Sequence, residues 1–94
     1  MGFEWDDDKD RVNREKYGIS FNEAKHIFNG PVLTRIDDCE DYGEIWEISM
    51  GTLLGHAVIV MVHTDRAGKT RIISARKANR KERQVYCDHI EKKI

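Results

Sequence analysis

The stretch AVIVMVHT, residues 57–64, constrains the chain more than any other. In an extended conformation Val58, Val60 and Val62 share one face, while Ile59, Met61 and His63 share the other. A strand apolar on both faces belongs in the interior of a sheet. Its neighbours are in the sequence: PVLTRI and EIWEISMG precede it, and TRIISAR follows the sharp DRAGKT turn. Gly51 to Gly55 and Ala67-Gly68 read as tight turns, so these four strands are expected to pair antiparallel. Ahead of them stand a short strand at Phe3 to Trp5 and two helices. WDDDKDRVNREKYG has Asp6 as N-cap, aspartates at the positive end of the dipole and Gly18 as its stop. ISFNEAKHIFNG has a capping box, Ser20 with Glu23, and an apolar stripe of Phe21, Ala24, Ile27 and Phe28, ended by Gly30-Pro31. ANRKERQVYCDHIEKKI closes the chain as a helix with a second capping box, Asn79 with Glu82, and Val85, Tyr86 and Ile90 on one face. The order strand, helix, helix, four strands, helix predicts an α+β fold, one antiparallel sheet with helices packed on it.

Ninety-four residues suit one domain, 1–94, with a single core. At 39% apolar residues the chain is globular, and no run approaches the roughly 18–20 apolar residues of a membrane span. The start MGFEWDDDKD is acidic where a secretory leader would be basic, and Cys39 and Cys87 form no C-x-x-C pair. A cytoplasmic protein with reduced thiols is expected, without a metal or other cofactor. The net charge of −1 conceals segregation. Six acids and no base lie between Asp37 and Glu47, whereas Lys69 to Arg83 holds seven bases against Glu82 alone. The acidic loop lacks the alternating ligands of a calcium loop. The basic run suits an anionic partner or is a solvated face.

Four segments, FEWDDDK, KYGISFNEA, VMVHTDR and above all RIISARKANRKERQVY, resemble the BrnT family, the toxin half of a bacterial type II toxin-antitoxin pair. The resemblance runs from Phe3 to about Ile90 with the motifs in the family's order. It implies a RelE-like ribonuclease fold, metal-independent cleavage of RNA that inhibits translation, and a hetero-oligomer with a DNA-binding BrnA-like antitoxin encoded beside it. Two positions depart from the family. Most relatives carry histidine where Tyr17 stands, in a K-H-G motif, and many carry a base early in the second sheet strand, where this chain reads GEIWE. A catalytically degenerate homologue that binds antitoxin or RNA is therefore the alternative.

Metal-free cleavage needs a base for the 2′-hydroxyl, cations for the phosphorane and an acid for the 5′-oxygen. Arg76, where the last strand exits, is the candidate cation; it either grips a phosphate bidentately or salt-bridges an acid. Strict alternation in TRIISAR sends Arg71 and Arg76 to opposite faces. His63 is the candidate acid or base, or else a structural imidazole. Lys16 matches the lysine of the family motif and also suits the negative end of its helix. Lys77, Arg80, Lys81, Arg83 and Arg71 are the candidate RNA-binding cations; those in the first turn of the last helix oppose its dipole, so helix stability does not explain them. Tyr86 reads as core, Glu82 as a capping residue, Asp6 and Lys9 as helix starts, and His26, His56 and His89 as incidental. An antitoxin is expected to cover the basic patch with acidic and apolar side chains.

Overall fold

The structure, a computed structural model, describes residues 2–37, 45–53 and 57–92. Five strands form one sheet: β1 (Gly2–Glu4), β2 (Val32–Asp37), β3 (Trp46–Leu53), β4 (Ala57–Arg66) and β5 (Lys69–Lys77). Their order across it is β1-β5-β4-β3-β2, so the doubly apolar β4 is central. β2 to β5 pair antiparallel, and β1 lies parallel to β5 from Gly2↔Lys69 to Glu4↔Arg71.

The helices divide between the two faces. The first, α1 (Asp7–Tyr17), starts where the Asp6 carboxylate accepts from the backbone N–H groups of Asp8 and Lys9, and stops at Gly18, whose φ of 73° only glycine adopts freely. The capping box of Ser20 and Glu23 opens α2 (Phe21–Ala24). That helix is shorter than its apolar stripe suggests, because the chain tightens into a 3-10 helix over Lys25–Asn29. The expected buried stripe survives: Phe21, Ala24 and Ile27 pack with Ile59, Met61, Ile72 and Ala75. Gly51 permits the close approach. It lies within β3, not in a turn as its spacing suggested, and a Cβ there would stand 2.9 Å from Cβ of Ile27 and 3.2 Å from its carbonyl oxygen.

On the opposite face α3 (Arg80–Lys92) covers Met50, Val58 and Val60 with Tyr86. The Tyr86 hydroxyl donates to the Pro31 carbonyl at 2.7 Å, fastening α3 to the start of edge strand β2. Asn79 and Glu82 form the expected capping box: the Asn79 N–H donates to Glu82 Oε1 at 2.9 Å and the Glu82 N–H to Asn79 Oδ1 at 2.8 Å. Ala67 and Gly68, at φ 54° and 82°, make the β4–β5 turn with the left-handed pair that a two-residue hairpin demands.

A bulge corrects one expectation. Val62 pairs with Ser74 but His63 pairs with Ile72, so Ile73 is an extra residue in β5. Across it the alternation changes phase. Arg76 faces with Val60, and Arg71 faces with Thr64, which is the same face of the sheet. The two arginines share the α3 side rather than pointing apart.

Among the described residues no helix is long and apolar enough to cross a membrane. Cys87 is an exposed thiol on α3. Cys39, His56 and the acidic loop from Asp38 to Glu44 lie outside the described residues.

Candidate functional site

β1 pairs with β5 only as far as Arg71, which leaves the rest of that edge of β5 without a strand neighbour. Asn13 of α1 fills the gap. Its side-chain amide donates to the Ala75 carbonyl at 2.8 Å and accepts from the Ala75 N–H at 3.2 Å, as a neighbouring strand would, and donates also to the Ile19 carbonyl at 2.9 Å. A buried backbone edge without partners would be costly, and one carboxamide supplies both a donor and an acceptor. The bonds hold α1 along the sheet edge. Its last turn therefore reaches β5, where Lys16 and Tyr17 line a shallow pocket with Ile73 and Ser74. The Lys16 ammonium sits 5.3 Å from the centre of the Tyr17 ring.

Arg76 lies next to this pocket, close enough for Tyr17 to act on its charge. Its two terminal nitrogens donate to the two oxygens of Glu82, both at 2.8 Å, and Nη1 also reaches the Lys77 carbonyl at 3.3 Å. The hydrogen bond with Glu82 is the main cause that raises the Arg76 pKa above its ordinary value, while burial opposes it. The same hydrogen bond, followed by the opposing effect of burial and then the Asn79 N–H, leaves Glu82 with a pKa of about 2. Glu82 is thus ionised throughout the neutral range. Both alternatives for Arg76 can hold at once. A guanidinium has five N–H donors. Glu82 takes one N–H from each terminal nitrogen, which leaves the N–H of Nε and the second N–H of Nη2, the side-on fork, without a partner among the described residues. With its side chain 39% exposed, Arg76 is a rigidly aimed cation with two donors to spare.

His63 stands elsewhere. It is 7% exposed on the sheet face under α2, where Nε2 shares a 2.7 Å hydrogen bond with the Ser49 hydroxyl and the ring meets Phe28 edge to face. Burial lowers its pKa, with Glu47 opposing. The sheet separates His63 from Arg76, so the two do not share a site. The reason is parity: Val60 and Val62 face with Arg76, and an odd-numbered residue on the same strand faces away.

The basic run is also divided. Arg71 is joined to Glu4 at 3.0 Å across the β1–β5 pair. Lys77 lies on the Ile59 side of β5. Arg80 and Arg83 line one flank of α3 with Cys87, whereas Lys81 lies on the other flank, toward β2 and β3. Three residues of this region were not foreseen. Asn13 carries no pattern signal. Ser74 changes neighbours because of the bulge. Arg35 had a signal: it shares strand parity with the half-buried Leu33, so it points to the α3 side, near enough to Glu82 to lower its pKa. Among the described residues no cluster of three or more His, Cys, Asp or Glu is placed to hold a metal ion.

Comparison with known proteins returns one family. The model of the ribonuclease toxin, BrnT, of type II toxin-antitoxin systems matches residues 5–82. Among solved structures, the ribonuclease toxin BrnT of Brucella abortus superposes with a TM-score of 0.65 at 18% identity, covering 85% of this chain and 99% of that one. At that identity the likeness is one of fold. No curated protein matches the chain.

Proposed function

Because this chain belongs to the family of BrnT ribonuclease toxins of type II toxin-antitoxin systems, we propose that it is a single toxin domain that cleaves RNA without a metal ion at the junction of α1, β5 and α3. The observation that carries the assignment is the free side-on fork of Arg76, aimed by Glu82 beside the Lys16–Tyr17–Ser74 pocket. Such a fork matches two oxygens of a phosphodiester and becomes more favourable as charge builds on the phosphorane. Lys16 brings a second positive charge and a proton for the departing 5′-oxygen, while the attacking 2′-hydroxyl gives up its proton to solvent water. Glu82 is a weak base at a pKa of about 2, which suits a residue that orients Arg76 better than one that takes a proton. His63 has no part in this site. Lys77, Arg80 and Arg83 act at longer range, raising the local concentration of RNA. A DNA-binding, BrnA-like antitoxin completes the system as the other member of a hetero-oligomer.

The test is cleavage of RNA by the purified chain in excess chelator. The wild type is expected to leave 2′,3′-cyclic phosphate ends, and Arg76→Ala to lose roughly 10²-fold or more in rate. Equal rates for the two would remove Arg76 from the mechanism.

A second reading rests on Tyr17. This residue stands in the pocket at the position where the resemblance places histidine in most relatives. A degenerate toxin would bind antitoxin or RNA without forming product. It predicts an inactive wild type that gains cleavage as Tyr17→His, and cyclic phosphate ends from the wild type would exclude it.

A further inference from the structure

Between α3 and the β2–β3 side of the sheet lies an open groove of about 270 Å³ whose floor and wall are Leu33, Ile48, Met50, Val60 and Val85. All five side chains are aliphatic. Val85 is 50% exposed, a large apolar group left in the open beside Tyr86, a buried residue of α3. Two cations border the groove, Arg35 from β2 and Lys81 from α3. Among the described residues neither has a salt bridge or hydrogen bond, Arg35 acting on Glu82 only at longer range, whereas Arg11, Arg14, Arg71 and Arg76 all have bonded acidic partners.

We propose that this groove receives an acidic, aliphatic segment of the antitoxin, and that neutralisation works by filling it. The proposal rests on the toxin reading above and adds the docking surface and the chemistry of what docks there. Aliphatic side chains of the partner displace water from the groove, and its carboxylates meet Arg35 and Lys81. RNA suits the surface poorly. Among the described residues the lining has no aromatic ring for a base to stack on, and a base or ribose set against five aliphatic groups loses hydrogen bonds to water without replacing them. The groove also explains the inhibition. Glu82 lines one end of it and is the residue bonded to Arg76, so a bound segment lies one side chain away from the phosphate-gripping fork. The opposite flank of α3, with Arg80 and Arg83, offers a mixed polar surface instead.

The experiment titrates the full chain with the intact antitoxin encoded beside it and, separately, measures RNA cleavage without antitoxin. Val85→Asp places a carboxylate where the aliphatic segment should sit. It is expected to weaken the antitoxin complex about tenfold or more, the effect of roughly 1.4 kcal/mol, while leaving cleavage by the free toxin at the wild-type rate. Lys81→Glu is a second, wholly surface variant, expected to weaken the complex in the same direction with its thermal unfolding unchanged. The pair Arg80→Glu and Arg83→Glu, on the other flank, is expected to leave antitoxin affinity within about twofold of wild type. Wild-type affinity in both Val85→Asp and Lys81→Glu would overturn the proposal and leave the toxin reading standing. Loss of RNA binding with antitoxin binding intact would give the groove to RNA and overturn it as well. A wild-type chain that does not bind the antitoxin would defeat the proposal and the partnership beneath it together.

Discussion

At His63, burial and charge act in opposite directions on the imidazole. Burial is the larger influence and lowers the pKa below its ordinary 6.5, while the Glu47 carboxylate raises it. The unfolded chain therefore takes up a proton near pH 6.5 that the folded chain refuses, so stability increases with pH across that interval. The contribution is complete above 6.5 and is lost as pH falls below it toward the folded value. His63→Gln keeps a polar group to meet Ser49 but does not titrate. It is expected to flatten the pH dependence of stability between 6.5 and about 5, above the range of ordinary carboxylates, as read by urea unfolding at fixed pH. An unaltered slope would transfer the effect to other groups. Glu82 has the same sign further down. Held at a pKa of about 2, first by its hydrogen bond from Arg76, it contributes stability that is complete above its ordinary 4.5 and lost as pH falls through about 2. The pair that aims Arg76 therefore stays intact while His63 titrates. Under the proposed role of Arg76, its effect on cleavage is expected to be separable from protonation of His63 in a pH profile.

Among the elements, α1 depends on a contact that no periodicity announces. Its buried residue is polar: Asn13, whose carboxamide serves the free edge of β5. Asn13→Leu would keep the volume and strand the N–H and carbonyl of Ala75, a residue with no exposed surface. At about 1–3 kcal/mol for each unsatisfied buried group, the expected loss is roughly 2–6 kcal/mol. The same change releases the last turn of α1, so cleavage is expected to fall along with stability as Lys16 and Tyr17 leave Arg76. A shift in the urea midpoint worth less than roughly 1 kcal/mol would mean that water replaces the carboxamide at little cost. The capping residues Asp6, Ser20 and Asn79 and the stop at Gly18 were legible because each acts on its own helix within three or four residues. Asn13 acts across 62 positions of chain, where local pattern carries no information.

Over the whole molecule, a net charge of −1 cannot by itself draw in a polyanion, so RNA binding has to come from the arrangement of charge. For single-stranded RNA the dependence of log affinity on log salt has a slope of about −0.7 per phosphate neutralised. With a 2′-O-methyl RNA that cannot be cleaved, Arg76→Ala is expected to flatten that slope by about 0.7, the loss of one contact, as followed by fluorescence anisotropy from low to physiological salt. An unchanged slope would show that no phosphate meets Arg76 in the bound state. The sequence alone determined the element order, the central position of β4, the capped helix starts and the stop at Gly18, the segregation of charge and the family, since these depend on residue type, short-range spacing and motifs read along the chain. Only the tertiary structure decided which of those residues meet. The extra residue at Ile73 brings Arg71 to the face of Arg76, strand parity carries His63 away from it, and Asn13 brings Lys16 and Tyr17 round the sheet edge toward it. One bulge inverts every side chain beyond it, and one long-range hydrogen bond sets where a helix ends in space. The site is made by such register and packing relations, which residue types read in order along the chain do not contain.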